Sequence, residues 1–271
     1  MNPNNDTISL SVEEIALCFS MINSPSHGLK FIKSIDKNIT KEDLDARFKA
    51  ASHSLVAHGF ASIGENGFPQ MKPELEKTLL PMVIYDKLIQ ILRSDKIGNR
   101  IISIYINNKN ESFTAHEIKL GVVHNISCDQ LENLTTYLLG LFKDFGSEKM
   151  VPFSEEKISL ELMGKIGLAF NNPNVVKEFL DQSDLSNNLK NELSTDICEM
   201  AMRGSIFSIK HNPKDQDAGE STPLRGILLL RNGENHWLFH FDKIEKQQKA
   251  VIRKADKDLF EKYLEEIVNQ D

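Results

Sequence analysis

The chain has 271 residues, 40% of them hydrophobic and 26% charged, with a formal net charge of −7. That suits one large or two ordinary globular domains. The acidic balance argues against broad affinity for nucleic acid or anionic lipid, since both need clustered Lys and Arg. No apolar run approaches the roughly 20 residues of a membrane helix, so no membrane insertion is expected. The amino terminus, MNPNNDTISL, lacks the basic-then-apolar pattern of a signal peptide. Three scattered cysteines, Cys18, Cys128 and Cys198, fit free thiols in a reducing cytoplasm, with Cys18 and Cys198 on apolar helical patterns.

Along the chain, Ser11-Val12-Glu13-Glu14 forms a capping box and predicts a helix with Ile15, Phe19 and Ile22 on one face. Asn23-Ser24-Pro25 breaks it, and a second amphipathic stretch follows with Leu29, Ile32 and Ile35 inward. Thr40-Lys41-Glu42-Asp43 opens a third helix that ends at Gly59, a left-handed cap. Residues 60–70, with Gly64-Glu65-Asn66-Gly67 at the centre, predict a short hairpin. Three small helices followed by such a hairpin is the order of a winged helix. The next helix is expected from Pro73 to about Ser94, kinked at Pro81. Strands are expected at 100–106 and over 112–126, joined by the turn Asn107-Asn108-Lys109-Asn110, before a closing helix at about 128–145.

The second half repeats this order. Ser154-Glu155-Glu156-Lys157 resembles the opening of the first helix, and Asn171-Asn172-Pro173 matches the earlier break. Helices at 174–182 and near 186–202 precede strands at 205–210, 224–230 and 236–242, and a closing helix spans about 256–269. Asn232-Gly233 marks a tight turn, and the polar segment Asn212–Pro223 a long hairpin loop. The expected fold class is α+β, with two pseudo-repeated halves at 1–146 and 153–271. Their strands would join in one central sheet flanked by helical bundles, because pooling them covers more apolar surface than separate sheets of about three strands. Residues 147–152 are the expected junction.

Chemistry-bearing motifs are not found. His236 and His240, four apart on a strand, point the same way about 13 Å apart, too far for one metal ion. His53 and His58, five apart on a helix, lie on different faces. Gly64-Glu65-Asn66-Gly67 lacks the Lys-Ser/Thr of a phosphate loop, and no nucleophile elbow occurs. Glu13/Glu14 and Glu155/Glu156 suit helix starts, where a carboxylate meets the dipole, and Glu265/Glu266 a polar face. No catalytic, metal or cofactor residue is therefore assigned. The helix Lys41–His58 sets Lys41, Arg47 and Lys49 against Glu42, Asp43 and Asp45, and the hairpin carries Glu65 with no basic residue. DNA readers place Lys or Arg on both elements, so nucleic acid is an unlikely partner.

The run Ser54-Leu55-Val56-Ala57-His58-Gly59-Phe60, then Gly67, then Pro73-Glu74-Leu75, resembles the Leu-x-x-Arg-Gly-Leu … Gly … Pro-x-Leu region of the EspG family, cytoplasmic chaperones of type VII secretion. His58 stands where that family often has Arg. The resemblance implies a non-catalytic cytoplasmic protein with no cofactor, which holds a helical secretion substrate. It places partner contact by position at Asn107, Asn108, Lys109 and Asn110, with Asn212–Pro223 as the counterpart loop. The alternatives are a winged-helix DNA-binding regulator acting through Lys41–His58, and an enzyme with a site around Trp237, His236 and His240.

Overall fold

A computed structural model of the chain describes residues 7–119, 121–146, 155–169, 172–210, 225–242 and 249–269. The helical layer of the first half opens as the capping box requires. After strand β1 (Ile8–Leu10), the Ser11 hydroxyl accepts from the Glu14 amide, and the Glu14 carboxylate accepts from the Ser11 amide at 2.7 Å, starting α1 (Val12–Met21). Asn23 breaks it at a φ of 60°, and α2 (Pro25–Ile35) follows. Of the apolar positions expected inward on α2, Ile32 is buried, whereas Leu29 and Ile35 face out. Helix α3 (Lys41–Ala57) ends at Gly59, whose φ is 74°. The Phe60 amide donates to the Leu55 carbonyl and the Gly59 amide to Val56, completing a Schellman cap. The hairpin β2 (Ala61–Ile63) and β3 (Pro69–Met71) follows as expected.

The helix expected over 73–94 is a correction. Only α4 (Pro73–Leu79) and one 3-10 turn at Pro81 are helical, and residues 87–95 form strand β4 (Lys87–Asp95). Ile89 and Ile91 are buried while Gln90 between them is exposed, the period of a strand. Three further strands complete a meander: β5 (Gly98–Asn107), β6 (Ser112–Lys119) and β7 (Val123–Gln130). The closing helix α5 (Leu134–Leu141) is shorter than expected because β7 occupies its first residues.

The second half opens on a strand, which corrects the expected helix start at 154–157. Strand β8 (Glu156–Ser159) precedes α6 (Leu160–Ala169), α7 (Pro173–Asp181) and α8 (Asn187–Cys198). Glu156 does serve a helix start, but that of α8: its carboxylate accepts from the amide and hydroxyl of the N-cap Ser186. The meander is β9 (Met202–Lys210), β10 (Arg225–Asn232), β11 (Asn235–Asp242) and β12 (Lys249–Lys254), then α9 (Lys257–Asn269). Strand β12 was not expected.

Each half therefore has an edge strand, three helices, a four-strand meander and a closing helix, and the first inserts the β2–β3 hairpin and α4 before its meander. The ten strands pair in the order β1-β7-β6-β5-β4-β9-β10-β11-β12-β8. Each edge strand returns antiparallel to the last strand of its own meander, and β4 lies antiparallel to β9 with Ile91 opposite Ile206. This is the α+β sheet architecture expected, with pseudo-repeated halves. By contacts the chain divides into two compact units, residues 1–86 with 102–131 and residues 87–101 with 132–271, so β5 runs from the second into the first. The expected junction at 147–152 lies outside the described residues. No helix among the described residues is long and apolar enough to cross a membrane.

The core of the first unit joins Leu10, Ile15, Phe19, Leu55, Leu79 and Ile126. That of the second joins Ile166, Leu180, Leu193, Trp237, Phe239 and Ile252. In α6, Gly164 is exposed, and a Cβ added there would meet nothing within 4 Å. Gly164→Ala is therefore expected to raise stability by roughly 0.5–1 kcal/mol, through the lower backbone entropy of the unfolded chain. A denaturant midpoint that moves down would contradict this.

Candidate partner-binding surface

The turn singled out in the sequence is tightly built. The Asn107 carboxamide donates to the Ile84 carbonyl at 3.0 Å, and its oxygen accepts from the Asn110 amide at 3.0 Å. Asp86 accepts from the Asn108 amide at 2.8 Å, and Glu111 takes the left-handed conformation that leads into β6. Asn107 is thus buried and committed to shaping the turn, while Asn108, Lys109 and Asn110 face solvent. A partner meeting this turn would touch the latter three, on a backbone already ordered. The counterpart loop 212–223 lies outside the described residues.

The second unit offers an apolar surface that the sequence reading missed. Strands β4 and β5 are joined by the two-residue turn Lys96-Ile97, and the Ile97 side chain is 96% exposed. Leu92 and Ile101, on the same two strands, are also exposed. The exposure of Leu92 and Ile97 became predictable only once 87–95 was a strand rather than a helix. An isoleucine at a turn tip contributes nothing to the core, and apolar groups grouped in this way mark interaction sites more often than single exposed residues do.

Of the three basic residues on α3, Lys41 and Lys49 face solvent, whereas Arg47 is engaged within the protein. Arg47 of α3 pairs with Asp36 at 2.7 Å and with Glu13 at 3.5 Å. A cleft of about 310 Å³ lies between α1 and α3, lined by Glu13, Glu14, Arg47, Ala51 and Ser54. Glu13 pairs with Arg47 and Glu14 caps α1, while the Ser54 hydroxyl lies 3.4 Å from His58 Nδ1, which stands 3.9 Å from Glu14 on the exposed rim of the cleft. Cys18 on α1 is buried, and burial with the nearby Glu14 carboxylate pushes its thiol up to about 12, so it stays protonated at neutral pH.

The histidines and tryptophan proposed for an enzyme do not converge. His236 packs on Phe145 with ring centres 5.2 Å apart, and His240 on Tyr263 at 4.3 Å. Burial, then the neighbouring Arg231, holds the His236 imidazole below its ordinary range. Trp237 is fully buried and donates its indole N–H to Asp196 at 2.6 Å. Asp196 of α8 also accepts from Asn232 at 3.0 Å and from Asn235 at 3.3 Å, tying the tight turn at Gly233 to the helix. Arg93 bridges Asp95 and Asp144 and donates to the Leu141 carbonyl at the end of α5. Asp196, Arg93, Asp95 and Asp144 are thus each directed at a protein partner, while Arg231 Nε and His236 Nδ1 are buried with no hydrogen-bond partner among the described residues. A second polar pair, His116 and His124, lies buried in the first unit. The two are eight residues apart in sequence, with no spacing signal, and only the β6–β7 register brings them together.

No family's sequence profile matches the chain, and no curated protein does either. The fold itself is known. Among solved structures, the chain is similar to the Mycobacterium tuberculosis type VII secretion system chaperone EspG5, determined in complex with the PE25–PPE41 dimer. The TM-score is 0.63 over 97% of this chain and 96% of that one, at 7% sequence identity. The chain thus has an EspG-like fold over 97% of its length.

Proposed function

We propose that this chain is a non-catalytic, cytoplasmic protein-binding chaperone of the EspG-like kind, holding a helical type VII secretion substrate before export. The observation that carries this reading is the likeness to EspG5 over nearly the whole of both chains. That chaperone was determined with a PE25–PPE41 dimer bound, which makes a protein partner the natural ligand class for this chain. The pairing of Arg47 with Glu13 and Asp36 takes one of the three basic groups of α3 away from the DNA-binding alternative.

Two surfaces are candidates for the contact: the Lys96-Ile97 hairpin tip with Leu92 and Ile101, and the ordered turn Asn108–Asn110. Ile97→Asp leaves the core untouched and places a charge where an apolar partner surface would close. It is expected to weaken partner binding at least tenfold, as truncation of a central apolar anchor does. Lys109→Glu tests the other turn separately. Titration calorimetry with a purified helical substrate separates the two. If neither variant changes the affinity, the contact is not at these turns; if no helical secreted protein binds the parent chain, the chaperone reading itself fails.

A further inference from the structure

We propose that the His116–His124 pair is an acid-operated latch, whose protonation loosens α2 from the β6–β7 face of the first unit. The two imidazoles lie diagonally across β6 and β7, His116 opposite Ile126 and His124 opposite Ile118. Their rings stack with centres 5.0 Å apart and planes 13° from parallel, and His116 Nε2 sits 2.7 Å from His124 Nδ1. Both side chains are buried, and Phe31 of α2 closes over them at 5.8 and 5.6 Å. One ring donates to the other, so each carries a single proton in the neutral pair. His124 Nε2 is buried with no hydrogen-bond partner among the described residues.

A further proton on His124 would set two N–H groups against each other at the shared hydrogen bond, or leave a charged N–H at Nε2 facing no acceptor, and both are costly away from water. One on His116 Nδ1 would keep the shared bond but place a charge in the buried face beneath Phe31. Glu13 of α1 is the charged side chain that acts on His124, and it favours the proton. Burial outweighs it, and Glu13 is itself engaged by Arg47. His116 is held down to about 4, by burial first and by His124 second, and His124 is lowered as well. A metal site does not account for the pair. Among the described residues no third ligand completes a set, and the facing nitrogens are closer than the roughly 3.3 Å between two ligands of a tetrahedral zinc ion.

The sign follows from linkage. The folded-state value lies below the unfolded one, so the closed state is fully favoured above about pH 6.5 and loses ground as pH falls toward 4. The open population is therefore expected to be larger at pH 5.0 than at pH 7.5. Hydrogen exchange followed by mass spectrometry on the full chain, corrected for intrinsic rates, reads this directly. Peptides covering α2 and β7 are expected to lose protection at pH 5.0 by at least tenfold. In the double variant His116→Leu, His124→Leu that loss disappears, while any change around His236 remains. Equal protection of α2 at both pH values, or a loss that persists in the variant, overturns the latch. Should the variant fail to fold, ring-carbon NMR of the parent chain decides. Titration of both histidines well below 6.5, coincident with opening of α2, supports the latch; titration near 6.5 with α2 closed overturns it.

Discussion

Asp196→Ala is expected to lower the stability of the second unit by about 3 kcal/mol, which corresponds to a fall of roughly 6–12 °C in unfolding midpoint. The carboxylate is 4% exposed and receives three donors: the Trp237 indole and the carboxamides of Asn232 and Asn235. Removing it strands the indole N–H in a fully buried position, and the penalty for such an orphan exceeds the modest net value of a satisfied bond. Asp196→Asn is expected to be nearly as damaging, because an amide carries one acceptor oxygen and turns its NH₂ toward donors. Trp237→Phe should cost less on its own and should remove part of the effect of Asp196→Ala, the signature of coupled partners. Because Trp237 is the chain's single tryptophan, its fluorescence reports the unfolding. A shift below 1 kcal/mol would show that the network contributes little.

Gly28→Ala is the second large effect, and its sign is opposite to that of Gly164→Ala. A Cβ at Gly28 would lie 2.5 Å from the Ala16 carbonyl oxygen, a backbone atom that cannot swing away. The helices α1 and α2 would have to separate, opening the contacts of Phe19 and Phe31 (ring centres 5.6 Å apart and perpendicular). The expected loss is about 2 kcal/mol, typical of overpacking, even though alanine favours the helix itself. Denaturant unfolding measures both variants on one scale. Stabilisation by Gly28→Ala would mean that α1 and α2 do not approach as closely as described.

The local signals were legible in the sequence because they act over a few residues. The Ser11–Glu14 box, the Gly59 cap, the hairpin at 60–70 and the Asn232-Gly233 turn all stand where they were read. Strand β4 was misread because Leu88, Ile91 and Leu92 also fit a helical stripe, and the choice is made by β9, more than a hundred residues away. Strand β12 has only Ala250, Val251 and Ile252 between charged residues, too short a run to declare itself. Ser154–Lys157 looked like a helix start, yet Glu156 and Lys157 belong to a strand that β12 claims for the sheet. The overall α+β plan was legible from the repeated order of elements, since an order survives errors in individual boundaries. Of the candidate surface, Asn107–Asn110 was proposed by position alone, and Asn107 is spent inside its turn. The apolar tip at Ile97 was hidden by the misread helix, and the His116–His124 pair by the absence of any sequence spacing that a hairpin register would produce.

The central claim is that the chain holds a helical secreted protein, and isolation of the complex tests it most directly. The tagged full-length chain is purified from its own cells, its mass in solution is measured, and cross-links to any bound protein are mapped. A stoichiometric complex with a small helical secreted protein, cross-linked near Lys96 or Lys109, is the predicted result. A chain recovered alone while such proteins are being expressed, or recovered with DNA in a salt-dependent manner, would contradict the account.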